Sequence, residues 1–376
     1  MRYKELTEQI CIKCLMDTSD PDIIFDKDGV CNYCLEAETK LPEYNFTKDQ
    51  EEANLKHLKE RIKKNQTGEY DSILGLSGGV DSSYVAYLAH EMGLNPLCVH
   101  FDNGWNSDIA VKNIHNIIDK TGFDLFTYVI NWPEFRDLQR SFFKAGVIDI
   151  EMLTDHAIFA SLFKLRRKFK IKTVLSGTNY ATEHGLPFKW IWPKMDLRNI
   201  HSIHKKFGEV KLSSYPTMTT FFWLLMRRFG VGGVFEEPLN QVVYKKADAM
   251  RILENSFGWQ YYGGKHYESV FTKFYQAYVL PTKFGVDKRK SHYSCLIRNG
   301  EMTRDEAVVE LSKPMYEKNE LLRDKTFVQK KLGFSESEFD SIMKAPPIAH
   351  DFYSTDQNYM RLVIKIGKVL FGKGNL

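Results

Sequence analysis

One strand-to-helix junction constrains this chain more than anything else in it. Residues 72–76 (SILGL) read as a short buried strand and residues 80–92 as a helix, so Ser77-Gly78-Gly79 falls on the turn between them. Two glycines let the backbone turn tightly and come close to a bound group. The helix start then offers unpaired N–H groups and the positive end of its dipole, which favours an anion. Ser77, Ser82 and Ser83 add hydroxyl donors. Asp81 is out of place beside an anion unless a divalent cation stands between them. The turn lacks the lysine of G-x-x-x-x-G-K-[ST] and the spacing of G-x-G-x-x-G, so neither of those phosphate loops is present.

The units around the turn repeat its order. Residues 96–101, 125–130 and 173–176 read as strands, and residues 109–120, 134–145 and 155–169 as helices. Such alternation predicts an α/β fold with a doubly wound parallel sheet, whose ligands bind beyond the carboxyl ends of the strands. Beyond Tyr180 the pattern stops: residues 181–265 are rich in aromatics, Gly and Pro with no clear period. Residues 266–280 and 303–345 read as helices, ending in a basic tail. The expected division is a module over 1–45, an α/β domain over 46–200, and an aromatic-rich, mainly helical region over 201–376.

Four cysteines crowd the N-terminal part: Cys11-x2-Cys14 and, sixteen residues on, Cys31-x2-Cys34. Two such knuckles aim four thiolates at one point, the pattern of a structural zinc site with no open position. Two disulfides or an iron–sulfur cluster are the other readings of this spacing. The opening residues MRYKELTEQI show no secretory pattern, and residues 218–226 (MTTFFWLLM) are too short to span a bilayer, so the expected location is the cytoplasm. That apolar run reads as a buried helix, with a partner or membrane-surface contact as the alternative. A charge balance of 52 basic against 48 acidic residues does not call for a nucleic-acid partner.

The turn resembles the SGGxDS signature of the ATP pyrophosphatase family, whose members cleave ATP to AMP and pyrophosphate. This implies a fold of the adenine nucleotide alpha hydrolase type. It also implies that Ser77, Gly78, Gly79, Val80, Asp81, Ser82 and Ser83 hold the ATP phosphates. Phe101 and Asp102 end the second strand, where the family holds adenine and ribose. Gly177, Thr178 and Asn179 end the fourth strand, where similar segments contact ATP, with magnesium on Asp81 and Glu183.

Family members differ in what they activate. Residues 11–306, with the four cysteines, LSGGVDSSY, HFDNGWNS, SGTN and YYGGKHYESVFTKFYQAYVLPTKFGVDKRKSH, resemble the N-acetyl sugar amidotransferases of bacterial surface-polysaccharide (lipopolysaccharide O-antigen) pathways. The resemblance implies an enzyme that turns the acetamido group of a nucleotide-linked sugar into an acetamidino group with ATP and ammonia. Lys265, Lys288 and Arg289 suit the substrate's diphosphate or carboxylate, and Lys265, His266 and His292 join Asp81 as catalytic candidates, either histidine moving a proton off ammonia. No glutaminase motif is present: Cys98 lies in an apolar strand and Cys295 lacks the Gly-x-Cys-x-Gly context. Ammonia is therefore expected from solution or a separate glutaminase subunit, in some relatives with a cyclase-like protein. The alternative is a tRNA thiolase of the same superfamily. It would need catalytic sulfur at Cys295 and RNA contacts at Lys164, Arg166, Arg167, Lys168, Lys170 and Lys172.

Overall fold

The computed structural model describes residues 9–229, 233–264 and 267–360. Its strands are β1 (Ser72–Gly75), β2 (Pro96–Asp102), β3 (Leu125–Val129), β4 (Thr173–Leu175) and β5 (Val234–Glu236). They form one sheet in the order β3-β2-β1-β4-β5, every neighbouring pair parallel. Successive side chains point to opposite faces, and the core divides accordingly. Ile73, Leu97, Val99 and Val174 pack in one cluster with Leu162 and Leu165. Leu74, Cys98 and Leu175 pack in the other with Leu58, Val85, Ile114 and Leu253. Both faces are thus covered, which is why the central strands are apolar without alternation.

The helices that do this are α2 (Lys48–Asn65), α3 (Val80–Glu91), α4 (Asp108–Thr121) and α6 (Met152–Lys168), joined by α10 (Lys246–Phe257). Each helix read from the alternating region is present, its ends within a few residues of expectation. The fifth strand, by contrast, comes from residues 234–236, inside the stretch where no period was legible. Its three residues sit at the sheet edge with Val234 and Phe235 exposed, so they leave no buried apolar run in the sequence.

A third core lies beside the sheet. It gathers α5 (Trp132–Ala145), α8 (Leu197–Phe207), α14 (Lys318–Leu332) and α15 (Glu336–Lys344) around Phe274, Tyr275 and Leu280. These three belong to α11 (Val270–Phe274) and its continuation Tyr275–Phe284, a π-helix. Pro281 within that stretch has no N–H to donate, which suits the widened turns. The remaining helices are α1 (Asn32–Lys40), the short α7 (Tyr180–Glu183), α9 (Thr220–Phe229), α12 (Lys288–Arg298) and α13 (Arg304–Ser312).

The four-cysteine segment belongs to the same third core, since Cys11, Cys14, Cys31 and Cys34 cluster with Trp190, Tyr275 and Val286. It is fastened to one face of α12. Lys290 pairs with Asp17, Ser294 Oγ accepts from Leu15 N at 3.0 Å, and Arg298 donates to Cys14 Sγ at 3.7 Å. Positions 290, 294 and 298 are spaced by four, so one helical stripe does the holding.

Candidate functional site

The turn after β1 is built as a cradle. Gly78 has φ +79°, and a side-chain carbon there would lie 2.4 Å from Ala110 O. Only glycine fits. Its carbonyl is held from outside by Trp259 Nε1 at 3.0 Å and Asn113 Nδ2 at 3.3 Å. Within the turn, hydroxyls occupy the backbone donors: Ser82 Oγ accepts from Ser77 N, Ser77 Oγ from Gly79 N and Tyr262 Oη from Val80 N, each at 3.2 Å. A phosphate oxygen accepts from such N–H groups in the same way, so the geometry suits an anion.

Above the turn is a cavity of about 220 Å³ lined by Ser77, Gly79, Val80, Asp81, Ser82, Ser176, Gly177, Thr178, Glu183, Lys246, Tyr262 and Glu268. The β4 end comes in close: a side-chain carbon on Gly177 would meet Asp81 and Ser82 at 3.3 Å. Asp81 accepts from Tyr244 Oη at 2.5 Å, and burial together with that carboxylate pushes the Tyr244 hydroxyl well above its ordinary pKa. Asp81, Glu183 and Glu268 all open on the cavity. Among the described residues, however, only the four cysteines converge tightly enough to form a ready metal cage. The carboxylates fit an ion that arrives on phosphates, because magnesium in such sites takes one or two protein carboxylates.

Other expected nucleotide contacts are placed differently. Ser83 is fully buried, and Asn179 turns inward to cap α7, accepting from Thr182 N at 2.8 Å. Phe101 stacks on Tyr128 at 5.5 Å, and Asp102 accepts from Gly104 N at 2.8 Å. None of these four lines the 220 Å³ cavity. Tyr244, Lys246, Tyr262 and Glu268 do the converse: they meet the cradle but were not among the expected site residues. Glu268 is delivered by backbone pairing, with Ser107 N on Glu268 O at 2.8 Å and Val270 N on Trp105 O at 2.9 Å. Tyr262 and Glu268 flank the Gly263–Lys265 segment singled out in the sequence, but Lys246 lies where no signal was legible.

A second cavity, about 450 Å³, adjoins the first at Glu183, which lines both. Its walls include Thr182, Gly263, Gly264, Tyr267, Lys288, Arg289, His292, Tyr293, Cys295 and Lys313. Lys288, Arg289 and His292 are thus brought together on α12, while Lys265 and His266 lie outside the described residues. Arg289 is committed to the fold: it pairs with Asp287 at 2.9 Å and donates to Lys313 O at 2.8 Å and Leu311 O at 3.1 Å. It clamps the end of α13 to the start of α12. Lys288 is held more loosely, 3.6 Å from Glu151. Cys295 is buried, its thiol donating to His184 O.

The cysteine cluster meets the test for a tetrahedral ion. Cys11 Sγ lies 3.8 Å from Cys34 Sγ, and Cys14 Sγ 3.7 Å from Cys31 Sγ. Zinc–sulfur bonds of about 2.3 Å set tetrahedral sulfurs about 3.8 Å apart. Cys31 N donates to Cys11 Sγ at 3.3 Å, and all four side chains are buried. All six cysteines are free, so the disulfide reading of the knuckles falls away. Burial works against the charge of Arg298, but Cys14 and its neighbours outweigh it and keep the guanidinium charged.

Comparison with known proteins matches two stretches. Residues 51–208 match the family described as NAD synthase, and residues 268–367 the family described as LPS biosynthesis protein WbpG-like, C-terminal domain. An uncharacterised protein of Methanocaldococcus jannaschii is 27% identical over 180 residues, 47% of this chain and 60% of its own length. A glutamine-hydrolysing GMP synthase of Baumannia cicadellinicola is 39% identical over 67 residues, 18% of this chain and 12% of its own. This chain therefore spans less than two thirds of these curated relatives. Among solved structures, an NMN synthetase from Francisella tularensis aligns with TM-score 0.34 and 14% identity over 76% of this chain and 94% of that one. The first of these matches covers β1 to β4 and the cradle, and the second covers the C-terminal helices from Glu268 onward, so each stretch is similar to a different family.

Proposed function

We propose that this chain is an ATP-dependent amidotransferase that replaces the N-acetyl oxygen of a nucleotide-linked sugar with ammonia. The observation that carries the reading is the junction of the two cavities at Glu183. A nucleotide whose phosphates lie in the cradle and an acceptor in the larger cavity meet there. An amide oxygen is a poor leaving group. In the proposed reaction it attacks the α-phosphorus of ATP and pyrophosphate departs. Ammonia adds to the activated carbon and gives up a proton, and AMP leaves with the former acetyl oxygen. The products are the acetamidino sugar, AMP and pyrophosphate.

The chain's share is to position and to neutralise charge. Ser77, Gly79, Val80 and Ser82 hold the phosphates, and Lys246 adds a cation at the same cavity. Asp81 and Glu183 are the residues to hold magnesium, which supplies Lewis-acid charge neutralisation at phosphate when bound. Lys288 reads an anionic group of the acceptor, and His292 takes the proton from ammonia. The cysteine cluster holds zinc as a structural ion. Ammonia comes from solution or from a separate glutaminase.

The test is AMP formation with candidate nucleotide-linked N-acetyl sugars and ammonium salt, the product identified by mass spectrometry. Asp81→Asn is expected to lower pyrophosphate release by about a hundredfold or more while the thermal melt stays in place. AMP formation that no acceptor stimulates, or full turnover by Asp81→Asn, contradicts the proposal.

A further inference from the structure

Lys246, which lines the phosphate cavity, is also the first residue of α10. The N-cap residue of that helix, Lys245, makes no side-chain capping bond. The cap comes from another part of the chain. Glu301 Oε2 accepts from Lys246 N at 2.7 Å, so a carboxylate faces the positive end of the α10 dipole. Glu301 Oε1 accepts from Asn299 Nδ2 at 2.7 Å, and the same amide donates to Tyr244 O at 3.3 Å. Glu301 and Asn299 thus hold both residues that this segment sends to the cradle, Lys246 and the Tyr244 whose hydroxyl donates to Asp81. Burial, the Asp81 carboxylate and then Glu301 raise that hydroxyl well above its ordinary pKa, so it stays a donor.

Local chain geometry puts Glu301 where it is. Arg298 ends α12, and Asn299-Gly300-Glu301 follow it. Gly300 takes φ +71°, a left-handed conformation that glycine adopts without strain. Gly300 N bonds Ile297 O at 3.1 Å and Glu301 N bonds Leu296 O at 2.9 Å, the paired bonds of a helix that stops on a glycine. Glu301 is therefore tied by its backbone to the last turn of α12 and by its carboxylate to the first turn of α10. Further along α10, Ala249, Leu253 and Phe257 pack in one cluster with Val85 and Leu88 of α3, the helix that the cradle opens. The body of α10 is thus seated by apolar packing, and its first turn by Glu301. Glu301 itself lines neither the phosphate cavity nor the acceptor cavity.

We propose that Glu301 is a positioning residue for ATP cleavage: it fixes the first turn of α10 so that Lys246 keeps its place at the phosphate cavity. The inference rests on the reading above, in which pyrophosphate leaves from the cradle. Negative charge grows on the departing pyrophosphate, and a cation already fixed beside it stabilises the transition state more than bound ATP. A loosened Lys246 has to be ordered during the reaction, at a cost in rate. The floor of the cradle, Ser77 to Ser82, holds the phosphates without Glu301. The effect therefore falls on kcat and leaves the KM for ATP in place.

The experiment is a double-mutant cycle on the full chain, read as kcat and KM for ATP in AMP formation. Glu301→Ala is expected to lower kcat about tenfold while the KM for ATP stays within about twofold of wild type. Lys246→Met is expected to lower kcat at least as far. Adding Glu301→Ala to Lys246→Met is expected to change kcat by no more than about twofold. Glu301→Gln keeps an oxygen for Lys246 N and is expected to recover most of the loss, which also guards against a Glu301→Ala chain that folds poorly. A double variant whose loss is the product of the two single losses overturns the proposal, because Glu301 then acts without Lys246. So does equal damage from Glu301→Gln and Glu301→Ala, or a raised KM for ATP at unchanged kcat. The amidotransferase reading fails separately: if no N-acetyl sugar stimulates AMP formation, the same cycle is read on ATP cleavage without acceptor. Absence of any ATP cleavage overturns both.

Discussion

The two adjoining cavities are built on opposite plans. The floor of the cradle is local: it is the run from Ser77 to Ser82, two of its backbone donors are met by its own serines and a third by Tyr262, and packing by Ala110, Asn113 and Trp259 locks Gly78. The larger cavity has no such run. Its walls come from α7, from Gly263, Gly264 and Tyr267, and from the π-helix, α12 and the end of α13. The helix that carries Lys288, Arg289 and His292 is held from behind by the cysteine segment through Lys290, Ser294 and Arg298. One site is therefore shaped before any ligand arrives. The other inherits its shape from packing, and through α12 from the cysteine segment. On the proposed reading, the cysteines act at a distance from the chemistry, as a brace for the acceptor side.

The sharpest way to break the contrast is at Gly78. Gly78→Ala puts a carbon into the Ala110 carbonyl at a positive φ. We expect a loss of about 3 kcal/mol by chemical denaturation and of about a hundredfold in ATP cleavage. A variant of unchanged stability and activity would show that the cradle is not rigid.

Metal removal should do the reverse. Chelation, or Cys14→Ser, is expected to raise the acceptor KM by about tenfold through displacement of α12, while nucleotide binding by the cradle persists. If both binding constants shift alike, the brace is not specific to the acceptor side.

The smallest effect sharpens the comparison through an anchor that uses no ion. Buried Glu134 accepts from Ser213 Oγ at 2.7 Å, Ser214 N at 3.0 Å and Tyr215 N at 2.7 Å, pinning that loop to α5. Burial opposes its charge, but these donors outweigh burial and lower its carboxyl from an ordinary 4.5 to about 2. A native pKa below the unfolded one gives stability that is complete above about 4.5 and lost as pH falls toward 2. Glu134→Gln should flatten melting temperature against pH across that window and leave chelator sensitivity untouched. A wild-type slope retained in the variant would mean that other carboxylates dominate.

The contrast also explains what could be read in advance. Strands β1, β2 and β4 were legible because burial on both faces leaves apolar runs, the edge strand β3 by its five-residue, mostly apolar and aromatic run, and the helices α3 to α6 by the period of their buried face. The cradle and the cysteine knuckles were legible because their geometry needs particular residues at fixed short spacing. The strand β5 was not, since its three edge residues, two of them exposed apolar and the third a buried glutamate, leave no apolar pattern. Ser83 and Asn179 carried the right residue types for a nucleotide contact, yet the first is buried in the helix packing and the second is spent as a cap.

Residue order alone settled the parallel α/β core, the glycine-bound turn and the convergence of four thiols, because each leaves a local signature in the chain: alternating strand and helix periods, a Gly-Gly turn, and two C-x2-C knuckles. Packing alone decided that Tyr244, Lys246, Tyr262 and Glu268 face the turn, that Arg289 braces α12 against α13, and that two cavities meet at Glu183. Those groups come from segments far apart along the chain, and their meeting depends on how helices seat against one another, which no local spacing records.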